Sequence, residues 1–149
     1  MKRKILYITT PFLFIWILFS SVGCEMESHS KEIDGNWHLE QIDTLATGGS
    51  LDVRESRIFW GIQANLVQLR SNTEYENIFI LRFNMNDDTL LLYEPHFSDR
   101  ETHDPEVTNT MFLNHFGINE LQESFLIEKL STSKMILKSA KLRLYFEKF

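Results

Sequence analysis

Three β-strand patterns follow one another near the end of the sequence with almost nothing between them: SFLIEKLS, SKMILKS and KLRLYFEKF. The connectors, STS and about SA, are far too short for a parallel crossover, which needs a dozen residues or more, so these strands must run antiparallel. In the last one, Leu142, Leu144 and Phe146 alternate with Lys141, Arg143, Tyr145 and Glu147. That period of two gives one apolar and one polar face. A chain ending in this way is committed to a meander, and a meander with enough strands removes its exposed edges by closing into a barrel.

Upstream the same pattern recurs. GNWHLEQID sets Trp37 and Leu39 on one face with His38 and Glu40 on the other, and ATGGS reads as a flexible loop after it. RIFWGIQANLVQLRS keeps Ile58, Trp60, Ile62, Ala64 and Leu66 in one parity and then switches to Val67 and Leu69. We read it as one long strand bent by a bulge, with a break near Gly61 as the alternative. YENIFILRFN and TLLLYE flank NMNDD, a hairpin signature, and Pro95 is expected to end the second strand. After the polar loop HFSDRETHDPEV, the stretch TNTMFLNHFGI changes period. Met111, Phe112, His115 and Phe116 fall on one helical face, with Thr108 or Asn109 as cap and Gly117 as stop. The expectation is a mainly β domain over 33–149. It has seven or eight antiparallel strands in an up-and-down barrel and one short helix before the last three strands. An open sheet or sandwich is the alternative.

The first 23 residues have a different character. Lys2, Arg3 and Lys4 precede an apolar run from Ile5 to about Phe19, then Ser20-Ser21-Val22-Gly23 leads to Cys24, the one cysteine of the chain. A basic start, a short apolar middle and small residues before a cut describe a secretory signal peptide. The run is shorter than the roughly 20 residues that span a bilayer. A lone cysteine cannot form an internal disulfide. The small-small-Cys ending resembles the bacterial lipobox as found in Bacteroidota, with Ser21 where Leu is usual. The resemblance implies cleavage before Cys24, lipidation of its thiol and anchoring in the outer membrane. Residues 24–32, with the acidic CEMES, then read as a tether, and CEMES resembles a surface-export signal.

Cutting there leaves 126 residues with 12 basic and 21 acidic side chains, a charge of −9 with His neutral. That balance argues against nucleic acid and against a basic lipid-binding patch. Nine Phe, two Trp and three Tyr supply a core without disulfides.

Gly35-Asn36-Trp37 on the first strand matches the G-x-W pattern of lipocalins, whose Trp plugs one end of an eight-stranded barrel. FWGIQANLVQLR resembles the second strand of lipocalin-like lipoproteins of Bacteroidota, and FGINELQESFLIEKLSTSKMILKSAKLRLYFEKF resembles their C-terminal block. The resemblance covers most of 33–149. It implies that an Arg near the last strand, Arg143, packs on Trp37 at the barrel end.

No catalytic set is legible. Ser131-Thr132-Ser133-Lys134 fits S-x-x-K, but it lies between strands and lacks a K-T-G companion. His96, His103 and Asp104 share a loop with Glu101 and Glu106, at spacings that match no familiar zinc site. We therefore expect no enzyme, no metal and no cofactor. The residues expected inside the barrel, and so the candidates for a ligand, are Trp37, Leu39, Trp60, Ile62, Phe79, Leu81, Phe83, Leu142, Leu144 and Phe146. Gln63, Asn65 and Gln68 are candidate polar anchors at an open end. Two functions fit: an anchored cup for a small apolar ligand, or a filled barrel that binds an envelope protein by its surface.

Overall fold

The computed structural model describes residues 32–72, 77–99 and 101–149. Cys24 and the expected signal peptide and tether up to residue 31 lie outside the described residues. The strands are β1 (Gly35–Thr44), β2 (Gly49–Asp52), β3 (Ile58–Gln63), β4 (Leu66–Ser71), β5 (Phe79–Asn86), β6 (Thr89–Phe97), β7 (Glu123–Leu130), β8 (Lys134–Lys138) and β9 (Leu142–Lys148). All neighbours are antiparallel. The order β1-β3-β4-β5-β6-β7-β8-β9 closes because β9 also pairs with β1. Eight strands thus form an up-and-down barrel. The ninth, β2, is a short hairpin on the far half of β1, with Gln41 opposite Asp52 and Thr44 opposite Gly49. The sequence had marked its start as loop.

The stretch expected to be one bent strand is a hairpin. Ala64 and Asn65 both take positive φ, 48° and 68°, between the pair Gln63 and Leu66. Left-handed backbone at both central residues is the type I′ turn, whose twist matches the strands it joins. The parity switch is the hairpin's own signature: Ile62 faces Val67 across the turn, and both are buried.

Pro95 does not end β6. It sits with Glu94 (φ 51°) in a bulge opposite Leu81, since Ile80 pairs with His96 and Arg82 with Tyr93. Beyond Leu92 the pairing of β6 with β7 stops. The segment Pro105–Val107 takes the vacated place, with Phe97 N–H donating to Pro105 O at 2.9 Å and Val107 N–H to Pro95 O at 2.8 Å. Among the described residues no α-helix forms before the last three strands. Thr110–Phe112 and Asn114–Phe116 are two 3-10 turns, the first capped by Asn109, whose side chain accepts from Met111 N–H. The helical face is real only as two single turns, because Gly117 (φ 83°) ends the second at once. Among the described residues no helix is long and apolar enough to cross a membrane.

Candidate functional site

The core runs through the barrel. Trp37, Leu39, Trp60, Ile62, Phe79, Leu81, Phe83, Leu144 and Phe146 are buried, and Leu142 is partly buried against them. Trp37, Leu39, Trp60, Leu69, Leu81, Leu90, Leu92, Phe125, Leu137 and Leu144 are 0% exposed. A void large enough for water would leave some of their surface accessible, so the middle of the barrel is packed with side chains. Trp60 organises it, lying edge-on to Phe125 and Phe146 with centroids 5.9 and 5.0 Å away.

The two ends are closed differently. At the Trp37 end the connections are the tight turns at Ala64-Asn65, Asp87-Asp88 and Ser131–Ser133. Ile33 is fully buried, and the Trp37 Nε1–H donates to its carbonyl at 2.7 Å. The ammonium of Lys148 stands 4.9 Å from the Trp37 ring centroid. Gly35 (φ 142°) leaves room for it: a Cβ there would collide with the Lys148 side chain. Arg143 does not pack on Trp37. It points outward and donates to both oxygens of Glu128 at 2.7 and 3.0 Å. Glu128 is the extra residue of a bulge in β7, which turns it toward Arg143. That hydrogen bond holds the Glu128 carboxyl below its ordinary pKa. Lys148 shares the inward parity of Leu142, Leu144 and Phe146, so the cation over the Trp comes from the strand's end rather than its start.

At the other end, the loop end, the β6–β7 connection folds over the barrel mouth. Val107, Leu113, Phe116 and Ile118 are buried there, and the Trp60 Nε1–H donates to Phe116 O at 3.2 Å. Gly117 packs on Leu144 so closely that a Cβ would meet its Cδ2 at 2.7 Å. The buried carboxylate of Glu123 accepts from the N–H groups of Asn119 (2.6 Å) and Glu120 (3.3 Å), fixing the return into β7. Sequence reading missed this carboxylate.

Outside this plug lies a recess of about 310 Å³ lined by Asn77, Phe79, Met111, Phe112, His115 and Phe116. Its aromatic wall is a chain of contacts: Phe116 to Phe79 at 5.6 Å, Phe79 to Phe97 at 5.2 Å and Phe97 to Phe112 at 5.4 Å. Met111 and Phe112 are 70% and 47% exposed. The expected helical face contains four of these lining residues.

Gln63 and Gln68 line a shallow groove of about 730 Å³ on the outer face of the sheet, with Asn36, Gly61, Leu66 and Arg70 among the others. Asn65 is exposed in the β3–β4 turn.

The remaining sequence candidates are structural. Ser131 Oγ donates to Lys134 O and accepts from Lys134 N–H, both at 3.0 Å, so S-x-x-K is a hairpin turn. In the histidine loop, Asp99 accepts from Glu101 N–H and Thr102 Oγ1–H, while Asp104 accepts from Asp99 N–H. These carboxylates are spent on shaping the loop, and His96 Nδ1 lies 2.9 Å from Glu94 O. Among the described residues no three His, Cys, Asp or Glu gather in a metal-holding group.

Comparison with known proteins gives the fold a family. The chain is similar in structure to a lipocalin-like protein from Bacteroides uniformis, at 22% identity and a TM-score of 0.60, covering 79% of this chain and 99% of that one. It is also similar to an uncharacterized protein from Bacteroides eggerthii, at 21% identity and a TM-score of 0.59, covering 78% and 98%. No curated protein matches it. The profile of the lipocalin-like domain matches residues 17–149, nearly the whole chain. With a closed barrel whose first strand carries the G-x-W glycine and tryptophan at its sealed end, this chain belongs to the lipocalin-like domain family.

Proposed function

We propose that this protein is a lipid-anchored binding protein of the cell envelope, and that its ligand is a small apolar molecule held at the loop end rather than inside the barrel. The observation that carries this reading is the aromatic recess outside a filled core. About 310 Å³ walled by Phe79, Met111, Phe112 and Phe116 is at the small end of ligand pockets, which are mostly apolar with a few placed polar groups; Asn77 and His115 are such groups here. Anchoring through Cys24 in the outer membrane fits the same reading. The tether would join the domain at Ile33, at the Trp37 end, leaving the recess on the side away from the membrane. The role is one of binding, without catalysis.

A second reading is favoured by the same exposure of Met111 and Phe112: a protein-interaction module with the loop end as its contact patch. Native mass spectrometry of the full chain from its own host separates the two. A reproducible adduct that is lost in Phe112→Ser supports the small ligand. An adduct-free mass together with a crosslinked partner lost in Met111→Ser supports the second reading. For the anchor, Cys24→Ala must abolish palmitate labelling and membrane partitioning; persistence of either refutes it.

A further inference from the structure

Strand β3 carries a glycine where the fold requires none. Gly61 has ordinary strand φ, and a Cβ there would meet nothing closer than 3.8 Å. A mid-strand glycine lowers strand stability and often marks a place where something approaches the backbone closely. Its surroundings form a lattice on the outer face. Across from Gly61 stand Asn36 on β1 and Gln68 on β4. Two residues along β3 lie Gln63 on one side and Phe59 on the other, Phe59 being stacked with His38 (4.9 Å) and covered by Arg70 (5.2 Å). The missing side chain makes a dent, one side chain deep, between rows of amides and aromatic or cationic groups. Among the described residues, the carboxamides of Asn36, Gln63 and Gln68 have no hydrogen-bond partner in the protein.

We propose that this groove binds neutral carbohydrate, one sugar ring seated on Gly61. Each planar carboxamide offers an acceptor and two donors side by side, which suits pairs of neighbouring hydroxyls. Leu66, 42% exposed, and Ile80 supply apolar surface for the C–H face of a ring. The groove is open to solvent and about 730 Å³ in volume, room for more than one sugar ring. Among the described residues Asp34 is the one carboxylate in its lining, so they form no pair of acids for glycoside cleavage, and the proposed role is binding. An extended peptide fits less well. The backbone groups of β1, β3, β4 and β5 are paired with one another here, so no free sheet edge is offered for strand addition. The site is independent of the loop-end recess.

The test uses the full chain in micelles of a detergent without a sugar head group, titrated separately with cellohexaose, maltohexaose and mannohexaose. Side-chain amide resonances are followed by NMR. The expected result is a saturable shift of the Asn36, Gln63 and Gln68 signals with at least one hexasaccharide. Gly61→Val fills the dent with a residue that favours strands and weakens that binding by about tenfold or more. Should that variant not fold, Gln63→Ala with Gln68→Ala, both at exposed positions, serves in its place and gives a similar loss. No saturable shift with any of the three sugars overturns the proposal. So does binding unchanged by the variants, or a shift produced only by an amide-rich peptide.

Discussion

The two ends of the barrel solve the same problem with different materials. At the Trp37 end, closure takes few residues: a tryptophan donates to a carbonyl four residues away, a lysine from the neighbouring strand caps its ring, and the turns are short. At the loop end, closure takes a whole connection: it folds back, hangs on the Trp60 indole and sets Phe116 in the mouth. The first end keeps its tryptophan fully buried, and the recess there, about 460 Å³, is lined mainly by polar and charged residues, Glu32, Ser131, Thr132 and Lys148 with Leu130. The second leaves Met111 and Phe112 in solvent after the plug has been made. An end that needs only sealing can be built from few residues. The exposed Met111 and Phe112 are the surface on which the proposed binding rests.

Breaking the Trp37 end should cost most. Trp37→Ala removes a fully buried indole and orphans the Ile33 carbonyl, and we expect a loss of about 3–5 kcal/mol in denaturant unfolding. A loss under about 1 kcal/mol would mean that this end is not a keystone. Next is the loop end's hinge. Gly117→Ala forces a Cβ against Leu144 from a left-handed backbone, and should cost about 2 kcal/mol by the same assay. The comparison sharpens if it also changes the Phe116 environment while leaving Trp37 fluorescence alone. Lys148→Ala removes a cation over an aromatic face, worth about 0.5–1 kcal/mol, and that loss should vanish in a Trp37→Leu background. Smallest is the outward pair of Arg143 and Glu128. The folded state holds the Glu128 carboxyl below its ordinary pKa, so its contribution is present above the ordinary glutamate range and fades as pH falls through the lowered value. Glu128→Gln should therefore differ slightly from the parent in melting temperature at neutral pH and match it in strong acid. A difference that grows on acidification would refute the pairing.

How much of this could be read from residues alone divides along the same line. The last three strands and the first were legible because alternation and short connectors leave one solution. The Trp37 end was half legible: the G-x-W pattern pointed to the plug, but Arg143 faces out and Lys148 caps the ring. A bulge at Glu40 shifts the register of β1 on β9, and Lys148 lies beyond it, opposite Trp37. The extra residue lies in β1, where the core side passes from Trp37 and Leu39 to Ile42, so the alternation along β9 shows nothing of it. The β3–β4 hairpin was missed because its turn is Ala64-Asn65 rather than a glycine pair, although the parity inversion was visible. At the loop end, Met111, Phe112, His115 and Phe116 were grouped correctly on a face. Their element was not, since tertiary contacts to Trp60, Phe79 and Phe97 hold two 3-10 turns where propensity suggests a helix. Of the groove amides, Gln63 and Gln68 are legible as candidate polar anchors and Asn36 is not, because their alignment around Gly61 depends on register across three strands.

The join between β1 and β9 has a consequence in time as well as in space. It includes the Tyr145 hydroxyl donating to Asp43 across 102 positions of sequence, at 2.8 Å. Contacts so distant along the chain fold slowly, because a large loop must close before any of them forms. Because synthesis runs from the N-terminus, Trp37 appears long before its cap, Lys148. Until then the first strand is an open edge beside an uncovered indole, the state in which a nascent barrel is most prone to pair with the wrong chain.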